Sequence, residues 1–272
     1  MLEELEQILL EKAQDKELKL PVLPEVAMQV MQMTSDANSD ATQLTKLINR
    51  DQALASNVLR ITNSASFGGK IQIVSLQQAI TRLGMSQISE IALAASVQKE
   101  IFDIKGYESI IKKMWRKSLA CGILSKIIAK QVRHNVESAY LCGLLHSIGK
   151  PISLKTLAEQ DSDYSKDELA DSAKQFHQVL GLRLAEEWKL PKQVQETIKH
   201  YKDYQKADTC ENDVMICTLA AQLSLHLYAD NPPSFEEIIA HPVCNDLNLY
   251  PDDLEAIQSQ LEKVKEQVSD LS

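Results

Sequence analysis

Six histidines are the residues best suited to chemistry in this chain: His134, His146, His177, His200, His226 and His241. Imidazole titrates near neutrality and is a frequent metal ligand. A solitary histidine is more often structural, so what matters is which of the six could converge. His146 closes an apolar run, Leu144-Leu145-His146-Ser147-Ile148-Gly149-Lys150. His177 lies in a helical pattern with Gly181 one turn later, where the missing side chain admits a second backbone. His200 ends the pattern Ile198-Lys199-His200-Tyr201. If the chain holds a divalent metal, His146, His177 and His200 are its candidate ligands. Otherwise they are polar residues lining a cleft between helices. Hydrolytic centres usually add carboxylates and keep one position open for water, and the neighbour of His146 is Ser147, a poor ligand.

Other chemistries find less support. The chain carries no glycine-rich phosphate loop and no GxSxG elbow. Ser64, beside Asn63, suits a turn or cap rather than a nucleophile. Asp51 suits a helix N-cap better than an acid or base. The cysteines at 121, 142, 210, 217 and 244 form no CxxC pair. That argues against a disulfide framework or a zinc knuckle and reads as free thiols in a reducing compartment. Lys112, Lys113, Arg116 and Lys117 form a short basic cluster, either a solvated face or an anion contact. Trp115 and Trp188 sit in apolar stripes and read as core.

The elements that must position these residues are helical. Eight glycines and eight prolines in 272 residues are few for a sheet-rich chain, which favours helices joined by short loops. The net charge of -9 and the lack of a basic run make nucleic acid an unexpected partner. No window approaches the ~18 apolar residues of a membrane span, and the charged amphipathic opening is unlike a secretory signal. A soluble, cytoplasmic protein is the expectation, with no membrane association.

Leu2, Leu5, Ile8 and Leu9 recur at helical spacing, and Pro21 and Pro24 then force an extended segment. Pro24 opens a helix through Met33. The polar stretch Thr34 to Asp40 ends in an N-cap, and Asp51 and Ser75 cap two further helices. Residues 63–69 read as a loop, Leu83-Gly84 as a helix end, and 86–101 as a helix. Lys105-Gly106 marks the boundary between an N-terminal lobe, 1–105, and a second lobe, 106–272. Beyond it the rhythm predicts a long helix from Ile110, a helix over 137–148 ended by Gly149 and Pro151, an acidic loop from Glu159 to Glu168, and helices over 168–189 and 191–203. A polar loop over 206–213, a strongly apolar helix over 214–228 and a last helix over 252–268 complete the chain.

Several spaced motifs in order carry a resemblance: LPVLP at 20–24, INRDQAL at 48–54, VLRITNSASFG at 58–68 and SLQQAITRLG at 75–84. With them the chain resembles the HDOD family, HD-related output domains of bacterial signalling proteins, from about Leu20 to Tyr228. Gln52 departs from the proline often found after that aspartate. The resemblance implies an all-α, two-lobed helical bundle whose second lobe is similar to HD-type metal-dependent phosphohydrolases. WRKS at 115–118 matches the helix of the first ligand histidine, with Lys117 in its place. GLLHSIGK at 143–150 matches the His-Asp segment, with His146 kept and Ser147 replacing the aspartate. HQVLG at 177–181, EEWKLP at 186–191 and KHY at 199–201 follow in order. Ala221 stands at the position of the last aspartate.

The implied protein is a non-enzymatic regulator, with no cofactor expected and a signalling protein or a small anionic ligand as partner. Its vestigial cleft would comprise Lys117, His146, Ser147, His177, His200 and Ala221. A metal-dependent phosphohydrolase rebuilt on His146, His177 and His200 is the alternative. A charged Lys117 would oppose a cation there and favour an anion.

Overall fold

The computed structural model describes residues 2–15, 17–34, 40–67, 72–160 and 164–272, and every regular element among them is helical. Helix α1 spans Leu2–Gln14. The extended segment around Pro21 and Pro24 leads into α2 (Glu25–Thr34), α3 (Ala41–Ile48), α4 (Gln52–Thr62), α5 (Leu76–Leu83) and α6 (Met85–Ile101). Next come α7 (Glu108–Gln131), α8 (Val136–Leu145), α9 (Gly149–Ala158), α10 (Lys166–Phe176), α11 (Gln178–Glu187) and α12 (Lys192–His200). A short 3-10 turn at Tyr204–Lys206 precedes α13 (Glu211–Tyr228), α14 (Phe235–Ile239), α15 (Pro242–Asp246), α16 (Pro251–Gln258) and α17 (Leu261–Leu271). No helix among the described residues is long and apolar enough to cross a membrane.

The expected caps form as the side-chain chemistry dictates. Asp40, Asp51 and Ser75 accept hydrogen bonds from the amides of Gln43, Leu54 and Gln78, each satisfying a donor that its helix leaves free. Gly84 ends α5 at a positive φ of 85°. Ser64 donates its hydroxyl to the Ile61 carbonyl, which is the turn role expected of it. Asn63 ties its amide group to both backbone groups of Ile73. Within the expected loops, residues 35–39, 68–69 and 161–163 lie outside the described residues.

The chain divides into two compact units. One combines Met1–Pro21 with Ile101–Ser259, the other Val22–Glu100 with Gln260–Ser272. The first unit thus takes in the N-terminal helix, and the second takes in the C-terminal one. In the first unit, α1 packs on α9, α10 and α11 with Leu5 and Leu9 buried. Arg183 donates to the last carbonyls of α1, Lys12 and Ala13, at 2.8 and 2.9 Å. In the second unit, α17 buries Val264, Val268 and Leu271, and Asp270 accepts the Ser66 amide at 2.9 Å.

Four local expectations are corrected. Gly149 and Pro151 do not close the helix over 137–148; they open α9. Proline is tolerated in a first turn, and a Cβ on Gly149 would overlap the His177 carbonyl oxygen. The helix expected over 168–189 breaks at His177 into α10 and α11. The loop from Glu159 is shorter than expected, because Ser165 and Glu168 form a capping box that starts α10. The final helix is interrupted at Ser259-Gln260, giving α16 and α17.

Candidate functional site

The site lies wholly within the first unit and starts from a close helix crossing. Helix α7 packs on α8 and α13. A Cβ on Gly143 would come within 2.6 Å of the Cys121 carbonyl oxygen, so only glycine lets α7 and α8 approach at backbone distance. Gly181 sits against α9 more loosely, its would-be Cβ lying 3.3 Å from Gly149 Cα. Trp115 and Trp188 are buried as expected, and Trp188 Nε1 donates to the Pro21 carbonyl at 2.8 Å.

Along α7, α9, α10 and α13 runs a cavity of about 380 Å³. Five lysines line it, Lys113, Lys117, Lys150, Lys174 and Lys202, against two carboxylates, Asp167 and Asp230. Three of the amines are already engaged. Lys113 pairs with Asp230 at 2.9 Å and Lys174 with Asp171 at 2.7 Å. Lys202 donates to the Lys174 and Gln175 carbonyls at the end of α10. The side-chain amines of Lys117 and Lys150 have neither a hydrogen-bond nor an ion-pair partner among the described residues. Desolvation pushes the Lys117 amine below its ordinary range, and Lys174 adds to it. Desolvation, then Lys202 and Lys117, push Lys150 down to about 8. Lys150 also stands in the first turn of α9, where the helix dipole disfavours a cation. Two half-buried amines that repel one another and make no direct ion pair form an anion-accepting constellation.

Of the residues expected in the cleft, Lys117 and Ala221 line this cavity; His146, Ser147, His177 and His200 do not. Ser147 is buried and hydrogen-bonded to the Ser118 hydroxyl at 3.1 Å. His177 is buried, its Nε2 sharing a hydrogen bond with the Tyr201 hydroxyl at 2.9 Å. Burial, reinforced by Lys150 and Lys202, holds His177 neutral, well below its ordinary pKa. His200 faces Glu196 at 3.7 Å. The trio His146, His177 and His200 is therefore not assembled as a ligand set. The remaining histidines have local work: His134 lies 3.2 Å from Asp213, His226 donates to the Pro233 carbonyl, and His241 caps α15. The hydrolase-type metal does not fit these residues. An amine stands at Lys117, a hydroxyl bonded elsewhere at Ser147, and a methyl at Ala221.

The constellation missed from sequence lies beneath the cavity. Cys121, His146 and Cys217 bring one ligating atom each to within 4.8 Å of the others, the one such group among the described residues. Burial opposes ionisation of Cys121, but the hydrogen bond from Cys217, with His146 beside it, outweighs that and lowers its pKa. Burial and the neighbouring Cys121 push Cys217 well above the ordinary thiol range. Tyr201, which lines the cavity, touches His146 edge-on at a ring separation of 4.7 Å. No local motif announces a thiol pair 96 residues apart. Lys150 was more accessible, since it ends the GLLHSIGK motif itself.

The sequence model of the HDOD domain matches residues 20–204. The chain belongs to the HDOD family. An uncharacterized protein of Treponema pallidum is 22% identical to this HDOD chain over 231 residues, 80% of the chain but 44% of that relative's length. The chain thus spans less than half of that relative. Among solved structures, an HDOD domain protein of unknown function from Geobacter sulfurreducens superposes with a TM-score of 0.75 at 19% identity, covering 100% of this chain and 99% of that one. A proposed metal-dependent phosphohydrolase from Shewanella amazonensis gives 0.74 at 24%, covering 98% and 99%. A proposed signal transduction protein from Marinobacter aquaeolei gives 0.69 at 17%, covering 99% and 66%. At these identities the likeness establishes the shared helical HDOD fold.

Proposed function

We propose that this HDOD protein is a non-catalytic signalling module that binds a small phosphate-bearing ligand in its lysine-lined cavity. The observation that carries this reading is the pair of unpartnered amines, Lys117 and Lys150, in a chain whose net charge is -9. An acidic protein that concentrates five lysines at one cavity has built a local field against its overall charge. The cavity volume suits a small molecule rather than a polymer. Family membership and the Marinobacter structure support a regulatory role. Absence of a carboxylate at Lys117, Ser147 and Ala221 supports binding without hydrolysis.

Titration calorimetry with inorganic pyrophosphate, run beside a phosphoesterase screen of the same preparation, tests the reading. Saturable binding that weakens about tenfold or more in Lys117→Ala and in Lys150→Ala is expected, since one charge-assisted hydrogen bond contributes roughly 1.5–3 kcal/mol. Unchanged binding in both variants, or turnover that is lost in His146→Ala, overturns it.

A further inference from the structure

We propose that Cys121, Cys217 and His146 form a buried binding site for one zinc ion beneath the floor of the cavity. The three side chains come from three helices, α7, α13 and the end of α8. Their convergence is therefore a property of the packed unit rather than of any local motif.

Three independent features point to a metal. The first is spacing. The two sulfurs lie 3.9 Å apart, and an imidazole nitrogen completes a triangle with no side over 4.8 Å. Two thiolates at the usual Zn–S length of about 2.3 Å are about 3.8 Å apart in tetrahedral geometry and about 4.0 Å in trigonal geometry. The observed separation falls between the two. It is far beyond the ~2.05 Å of a disulfide, and all five cysteines are free. The second is the tautomer of His146. Its Nδ1 donates to the Gly143 carbonyl at 2.7 Å, so in the neutral ring Nε2 carries the lone pair. A backbone carbonyl holding one ring nitrogen is the usual way in which a ligand histidine is oriented.

The third feature is charge. Cys121 and Cys217 are fully buried and His146 nearly so. A buried site favours zero net charge, and two thiolates cancel one divalent cation. Two sulfurs and an imidazole select zinc over magnesium or calcium, which take oxygen ligands. Binding would send the two thiol protons to solvent. Tyr201 borders both the cavity and His146. This site shares no residue with the amine pair of the cavity, so the two readings stand or fall separately.

The test uses the full chain, reduced, stripped with chelator and titrated anaerobically with cobalt(II) and then zinc. One equivalent of cobalt is expected to bring a thiolate-to-metal charge-transfer band sized for two sulfurs, which one equivalent of zinc abolishes. Zinc is expected to raise the thermal midpoint of the chain. Cys121→Ser and Cys217→Ser should each lose the shift and at least half of the band, while Cys244→Ser, whose thiol instead contacts the Ile238 carbonyl, should keep both. The wild-type spectrum reports the number of sulfur ligands without relying on the folding of any variant. No charge-transfer band in the wild-type chain, or zinc binding retained in both serine variants, overturns the proposal. So does metal uptake that disappears in Cys244→Ser.

Discussion

Lys150 links the geometry of the cavity to measurable pH behaviour. Its folded pKa of about 8 lies below the ordinary lysine value of 10.5. Between those values the unfolded chain holds a proton that the folded chain has released. Stability therefore rises with pH across this window, and the relief is lost as pH falls through about 8. Ligand binding has the opposite sign, because an anion needs the charged amine. Sulfate carries a constant charge across this range and isolates the protein's own titration. Its affinity is expected to fall as pH rises through about 8, measured by competition with pyrophosphate in calorimetry. In Lys150→Met that decline should flatten, and the chain without ligand should melt no lower than wild type, since the variant removes a partly desolvated charge beside other lysines. A melting temperature that drops sharply in Lys150→Met would mean that the amine is structural and not held for a ligand.

At the scale of elements, Gly149 makes the sharpest prediction. A Cβ there would overlap the His177 carbonyl oxygen, which is backbone and cannot rotate away. Gly149→Ala is expected to cost about 3 kcal/mol in urea unfolding, at the upper end of overpacking penalties. Asp51→Ala should cost about 1 kcal/mol, the usual value of an N-cap bond, read from the same experiment. The caps were legible in sequence because a cap is a local rule: one side chain and an amide three residues on. The glycine was visible too, but its role was not. Gly149 reads locally as a helix stop, and only the packing of α9 on α11 shows that it is kept for close approach. The break at His177 was illegible for the same reason, since the apolar rhythm runs through it without a glycine or proline. Lys117, Ser147 and Ala221 were placed by motif order. Lys174 and Lys202 came to the cavity through tertiary packing that periodicity does not encode.

The whole molecule crosses its own chain ends, and that topology has a mechanical consequence. Helix α1 belongs to the unit formed by 101–259, while α17 belongs to the unit formed by 22–100. A linear reading assigns each end to its nearest neighbour in sequence, and this exchange of ends has no local signal. The smaller unit depends on its distant segment. Leu261, Val264, Val268 and Leu271 are all buried, and each such side chain is worth roughly 1.5–3 kcal/mol of transfer free energy. Together they approach the ~5–15 kcal/mol of a whole domain's stability. Deleting residues 260–272 is therefore expected to unfold the 22–100 unit selectively. Hydrogen exchange should show protection lost in α3, α4 and α6 and kept in α7, α8 and α13. Asp270→Asn is the milder counterpart. Burial opposes its ionisation, but the hydrogen bonds from Ser66 outweigh that and hold its pKa below the ordinary carboxylate value. The charged form is thus favoured on folding, and its contribution is lost as pH falls through the folded pKa. The variant should weaken the smaller unit at neutral pH and remove that part of its acid sensitivity. Uniform protection across both units after the deletion would show instead that the smaller unit holds its core without α17.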